Sequence, residues 1–157
     1  MLRGAIQYLF DNKITGFGGE YQLTDAFDRM LKENCVFRTA TVTDWLDCGT
    51  IEALAETTRF IIRREKHPIP EGSVEGTVVH QPVYIGEGVR IVGGEIGPET
   101  SIESGATISN SVLKGGIVFA DATISNSNLS DSLVGRSARV EGFTGVLNIG
   151  DHSEVSS

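Results

Sequence analysis

Within residues 1–66, two carboxylates lie within two positions of a glycine, where a side chain can stand clear of its own backbone. Glu20 follows Gly18-Gly19, and Asp47 precedes Cys48-Gly49-Thr50. Asp47 closes a β-rich stretch, and a carboxylate at a strand end beside glycine can reach a hard cation that bridges phosphate oxygens. The competing role for Asp47 is a helix cap ahead of Ile51. Thr24 and Asp25 read as capping groups for a helix, Thr24 at the cap and Asp25 near the positive end of the dipole. Trp45 reads as core. Cys48 reads as a small buried residue and not as a nucleophile, because no histidine is close to it in sequence. The three histidines, His67, His80 and His152, are too scattered for a three-histidine metal centre. Gly16-Phe17-Gly18-Gly19 is glycine-rich but lacks the basic residues and preceding strand of a phosphate cradle.

The elements that carry these residues are mixed. Ile6, Leu9 and Phe10 give a short apolar stripe, which predicts a helix ending near Asn12. Leu23, Phe27, Met30 and Leu31 lie on one helical face. Residues 36–45 alternate threonine with other side chains and predict one strand. Gly49-Thr50 opens a helix over residues 51–64, whose basic end, Arg63-Arg64-Glu65-Lys66, suits a helix C-terminus. Pro68 and Pro70 then forbid further helix and mark a linker over 67–73. The expected division is therefore an α/β segment at 1–66, a linker at 67–73 and a second unit at 74–157.

Glycine usage changes at that linker: five of the nineteen glycines precede residue 70 and fourteen follow it. Rows of sixteen from Val92 align Val92, Ile108, Ile124 and Val140 in the first column. Gly97, Leu113, Leu129 and Gly145 share the sixth column, and Ile102, Val118 and Val134 the eleventh. Ala106, Ala122 and Ala138 share the fifteenth, and the repeated Ile-Ser-Asn-Ser at 108–111 and 124–127 sets the register. An apolar period of five or six excludes a helix, and alternation is never sustained long enough for a meander. A triangular coil satisfies the pattern, with one aliphatic per face pointing inward and small residues at the corners. About five coils at roughly 4.8 Å spacing are expected, with Ser109-Asn110-Ser111 and Ser125-Asn126-Ser127 stacked as polar ladders at a corner.

Ile85-Gly86-Glu87-Gly88-Val89 and Ile96-Gly97-Pro98-Glu99-Thr100 resemble hexapeptide-repeat proteins. That resemblance implies a left-handed parallel β-helix, so the chain is expected to be mainly β. Gly19-Glu20-Tyr21-Gln22-Leu23-Thr24-Asp25, followed by Trp45-Leu46-Asp47-Cys48-Gly49-Thr50, resembles the sugar-1-phosphate nucleotidyltransferases. This is the family of glucose-1-phosphate thymidylyltransferase and UDP-glucose pyrophosphorylase. The order, the spacing and the trailing hexapeptide helix all match, over nearly the whole chain but only the rear of the family's catalytic domain. The resemblance implies that Asp47 is a ligand for Mg²⁺, and that Glu20 accepts hydrogen bonds from sugar hydroxyls. It implies a sugar 1-phosphate and a nucleoside triphosphate as partners. Nothing before Gly16 supplies the Arg- and Lys-bearing glycine loop that holds the triphosphate, so the chain by itself is expected to be inactive.

The alternative enzyme class is a hexapeptide acyltransferase, whose histidine base would be His80 or His152. A third role is assembly, because a β-helix prism has a flat face and two open ends that invite a homo-oligomer. The formal net charge of −8 argues against nucleic-acid and anionic-membrane partners. Two cysteines make no disulfide framework, and the expected compartment is the cytoplasm.

Overall fold

Ala5 and Leu9, one turn apart on α1 (Leu2–Asp11), meet Ala26 and Met30, one turn apart on α2 (Leu23–Lys32). These four side chains are the buried core of a helical hairpin, with Ile6, Phe27 and Cys35 packed at its margin. The small alanines let the helix backbones approach closely. Arg29 lays its guanidinium 3.4 Å from the centre of the Tyr8 ring and pairs with Glu33 at 2.6 Å. Between the helices the glycine-rich loop makes one 3₁₀ turn, Phe17–Gly19.

In the computed structural model, which describes residues 1–157, the hairpin belongs to a first compact unit, Met1–Asp44. Two expectations are corrected there. The cap position of α2 is Gln22, in extended conformation, and Thr24 lies inside the first turn with Asp25. Tyr21 packs edge-on against Phe10, 4.6 Å between ring centres, so the chain already turns into the helix at Leu23. Residues 36–45 form no strand. Their alternation fits a pleated surface, but no neighbouring strand lies beside them to exchange ladder hydrogen bonds.

The second unit, Trp45–Ser157, holds α3 (Ile51–Arg64) and twelve short strands. Thr50 caps α3, its hydroxyl accepting from the Ala53 N–H at 3.1 Å. The strands are β1 (Val74–Glu75), β2 (Val78–Val79), β3 (Val83–Ile85), β4 (Arg90–Ile96), β5 (Thr100–Ile102) and β6 (Thr107–Val118). They continue as β7 (Thr123–Ser125), β8 (Asn128–Val134), β9 (Arg139–Glu141), β10 (Thr144–Gly145), β11 (Asn148–Ile149) and β12 (Glu154–Ser156). Every pairing is parallel, which makes a β-solenoid of about five turns. One face stacks β1, the start of β4, the start of β6, β7, β9 and β12. The second runs through β2, the end of β4, the middle of β6, the start of β8 and β10. The third runs through β3, β5, the end of β6, the end of β8 and β11.

Aliphatic ladders fill the prism. Ile91, Ile108, Ile124 and Val140 form one, Ile96, Leu113 and Leu129 a second, and Ile102, Val118 and Val134 a third, all buried. The register differs from the sixteen-residue rows at the top. Ile91, and not Val92, lies over Ile108, and Ile96, and not Gly97, lies over Leu113. Arg90 pairs with Thr107, seventeen positions on, whereas Thr100 pairs with Gly116, sixteen on. The extra residue is in the corner Gly97-Pro98-Glu99, where the lower coil turns with Lys114-Gly115 alone. Gln81–Pro82 and Gly97–Pro98 at these upper corners are both cis. The last coil is shorter again, with Leu133 pairing to Asn148, fifteen positions on.

Helix α3 covers the third face. Ser101, Ile117 and Leu133 point outward there in register, yet all are buried, and Ile62 of α3 is buried with them. Ile51 borders the same cleft as Asn148 and Ile149 of the last coil, and Ile62 borders that of Gln81 and Pro82 in the first. The helix therefore runs from the last coil back to the first. Fourteen residues at about 1.5 Å each give roughly 21 Å, close to the height of the stack. Residues 67–73 connect α3 to the solenoid it lies on, so the division into compact units falls after Asp44.

Candidate functional site

Asp47 lies in the turn that leads into α3. Its Oδ1 accepts from the Cys48 N–H at 2.7 Å and the Gly49 N–H at 3.0 Å, which folds the turn back on itself. Its carbonyl accepts from the Thr57 hydroxyl at 2.7 Å, tying the turn to the second turn of the helix. Oδ2 takes no part in these two hydrogen bonds. The cap role weighed for Asp47 belongs to Thr50.

A cleft of roughly 340 Å³ opens beside this turn, lined by Trp45, Leu46, Asp47, Ala53, Glu56, Thr57 and Phe60. Ala53, Glu56, Thr57 and Phe60 are the i, i+3, i+4, i+7 stripe of α3, so one helix face supplies the floor. Trp45, expected in the core, is 84% exposed at the rim. Cys48, expected to be buried, is exposed too. Both follow from the absence of a paired strand over 36–45, which leaves these side chains nothing to pack under. Glu56 escaped the sequence reading, although its place on the stripe with Thr57 and Phe60 is visible at helical spacing. Carboxylates between aromatic faces can accept from hydroxyls while the rings cover an apolar sugar edge.

Glu20 lies in the first unit, directly after the 3₁₀ turn, exposed, with its carbonyl accepting from the Gly16 N–H at 2.8 Å. Asp25 is in the first turn of α2, and its carboxylate borders Gly16.

No family model matches the chain. The glucose-1-phosphate thymidylyltransferase of Streptomyces antibioticus is 26% identical over 162 aligned positions, which cover 87% of this chain and 45% of that enzyme. The glucose-1-phosphate thymidylyltransferase of Streptomyces griseus is likewise 26% identical, over 161 positions and the same shares. The chain is a distant homologue of glucose-1-phosphate thymidylyltransferase. It spans about half the length of these curated relatives.

Against the thymidylyltransferase relationship, the donor set of this chain can be tested for Mg²⁺. No group of three or more His, Cys, Asp or Glu side chains converges anywhere. Mg²⁺ is commonly held by one or two carboxylates plus waters and substrate phosphates, so Asp47 fits as one donor and not as a complete cage. The histidines weighed for acyl transfer are placed apart. His80 Nε2 is 2.7 Å from Glu95 Oε1, which Lys114 also approaches at 3.9 Å. His152 occupies a left-handed corner of the last coil (φ 58°), exposed, its backbone N–H bonded to the Arg136 carbonyl at 2.8 Å. No helix is long and apolar enough to cross a membrane.

Proposed function

We propose that this chain contributes the sugar-side rear of a site that transfers a nucleotidyl group to a sugar 1-phosphate, glucose 1-phosphate foremost. A phosphate oxygen of the sugar 1-phosphate attacks the α-phosphorus of a nucleoside triphosphate, and the bond to the leaving pyrophosphate breaks. Asp47 offers Oδ2 as one ligand to Mg²⁺, which when bound offsets charge on the phosphate oxygens. Glu20 accepts from sugar hydroxyls. The observation that carries this reading is the Asp47 turn itself, a carboxylate with one oxygen locked by backbone N–H groups and the other outside those bonds, beside a cleft. The similarity to two thymidylyltransferases supports it.

The glycine loop at 16–19 brings no arginine or lysine, so that loop is not the cradle of the triphosphate. The solenoid, left-handed on the hexapeptide resemblance, serves assembly into a homo-oligomer in the cytoplasm. The test is pyrophosphate release with glucose 1-phosphate, Mg²⁺ and each nucleoside triphosphate in turn, with Asp47→Ala as control. The chain alone is expected to give no turnover and to elute as an oligomer by light scattering. Turnover that vanishes in Asp47→Ala would show that this chain holds the triphosphate after all. A monomer at micromolar concentration would remove the assembly role.

A further inference from the structure

We propose that Arg59 is a positioning residue for the Asp47 turn, and that the charged corner of the solenoid sets where that turn stands. Helix α3 carries two stripes with different partners. Ala53, Glu56, Thr57 and Phe60 line the cleft, while Arg59, Ile62 and Arg63 turn toward the solenoid. The apolar contacts on the solenoid side, such as those of buried Ile62, have no directional preference and tolerate sliding. The ion pairs do not. Arg59 Nη2 is 2.6 Å from Asp131 Oδ1, and Arg59 Nε is 3.8 Å from Glu99 Oε2. Arg63 closes on Glu99 Oε1 with both Nη2, at 2.5 Å, and Nε, at 2.6 Å.

Glu99, Gly115 and Asp131 occupy one corner column in successive coils, all with positive φ (60°, 71° and 44°). Glu99 and Asp131 are thus two coil steps apart, about 10 Å, and Arg59 and Arg63 are one helical turn apart, about 6 Å. Arg59 reaches both carboxylates and Arg63 one, which fixes the helix along the stack. Gly115 makes this possible, because a Cβ there would lie 2.5 Å from Asp131 Oδ1. With no side chain at 115, the Asp131 carboxylate folds over the corner toward the helix. Thr57, two residues from Arg59, holds the Asp47 carbonyl at 2.7 Å, so the turn follows the helix.

The meaning of this for catalysis rests on the proposed role of Asp47; the mechanical coupling does not. The test is hydrogen exchange by mass spectrometry on the full chain, following the Cys48, Gly49 and Ala53 amides, with anisotropy of Trp45, the single tryptophan, as a second readout. Arg59→Gln and Asp131→Asn should each speed exchange of those amides about two- to fivefold, the range for a partly exposed ion pair, and lower the Trp45 anisotropy. Amides of β7 and β9 should be unchanged, and Arg59→Lys should restore most of the protection. High salt should reproduce the effect in the native chain and add less in Arg59→Gln, where only the Arg63–Glu99 pair remains to be screened. Unchanged exchange at 48, 49 and 53 in Arg59→Gln, or equal loosening in Arg59→Lys, would overturn the proposal. Neither readout depends on turnover, so an inactive Asp47 site and a failed coupling give different results.

Discussion

The hydroxyl of Ser111 accepts from the Ser127 N–H of the next coil at 3.1 Å while donating to the Ser109 carbonyl at 2.7 Å. Ser127 repeats the arrangement, donating to the Ser125 carbonyl at 2.7 Å and accepting from the Phe143 N–H at 3.2 Å. Both serines are nearly fully buried. The corner chain leaves the sheet ladder at this point, and the hydroxyls take up the backbone donors that the ladder no longer serves. Ser111→Ala orphans the Ser127 N–H and should cost about 1–3 kcal/mol. Urea unfolding would measure it, and Ser111→Thr should recover part of the loss by restoring the acceptor.

Two glycines on different elements should respond to alanine with opposite sign. Gly94 turns the same corner one coil earlier at φ 89°, where a Cβ would fall 2.0 Å from the Ser111 carbonyl oxygen. Gly94→Ala should destabilise on the order of 3 kcal/mol or more, because strain and backbone clash add. Gly4 lies in α1 with open space around its Cβ position. Gly4→Ala should stabilise the hairpin by about 0.5–1 kcal/mol through the loss of unfolded-state freedom. Thermal melts followed by circular dichroism read both.

Thr50 supplies the one side-chain cap on α3, and the Asp47 turn lies directly before it. Thr50→Ala should cost about 1 kcal/mol, and Thr50→Ser should restore it. Because Trp45 is two residues ahead of Asp47, its fluorescence should report loosening of the turn before the solenoid melts.

Lys32 pairs with Asp28 at 2.6 Å, four residues back on α2. The hydrogen bond to Asp28 and then its charge hold the ammonium above its ordinary value of 10.5, against a smaller opposing effect of burial. A group raised on folding contributes fully below its unfolded value and loses the contribution as pH rises through the folded one. The pair should thus be constant through neutral pH and fade only in strong alkali. An NMR titration of the Lys32 ε-protons should show the upward displacement in the native chain and its disappearance in Asp28→Asn.

Much of this protein is written in local pattern. Ile108 and Ile124 with their Ser-Asn-Ser corners announce a stacked coil, because each coil repeats the same inward aliphatic and the same turn. The helix at 51–64 is legible for the same reason, its cap at Thr50 and its stripes lying within a few residues of one another. The register at Ile91 departs from the sixteen-residue rows because one extra residue at the Gly97-Pro98-Glu99 corner shifts the row, which only the pairing partner reveals.

Residues 36–45 show the opposite case. Their alternation meets every local requirement of a strand, but a strand exists only against a neighbour, and none lies beside them. Trp45 and Cys48 lose their expected burial for that reason, and Glu56 joins Asp47 only because a helix turn brings them to one cleft. Spacing within one or two repeats is enough to specify the coil, its ladders from Ile108 onward and the helix that precedes it. Tertiary structure alone decided that α3 lies down the third face and that Arg59 meets Asp131, seventy-two positions away. Charge on a helix carries no record of which surface will face it until the chain has folded back and brought the two partners together.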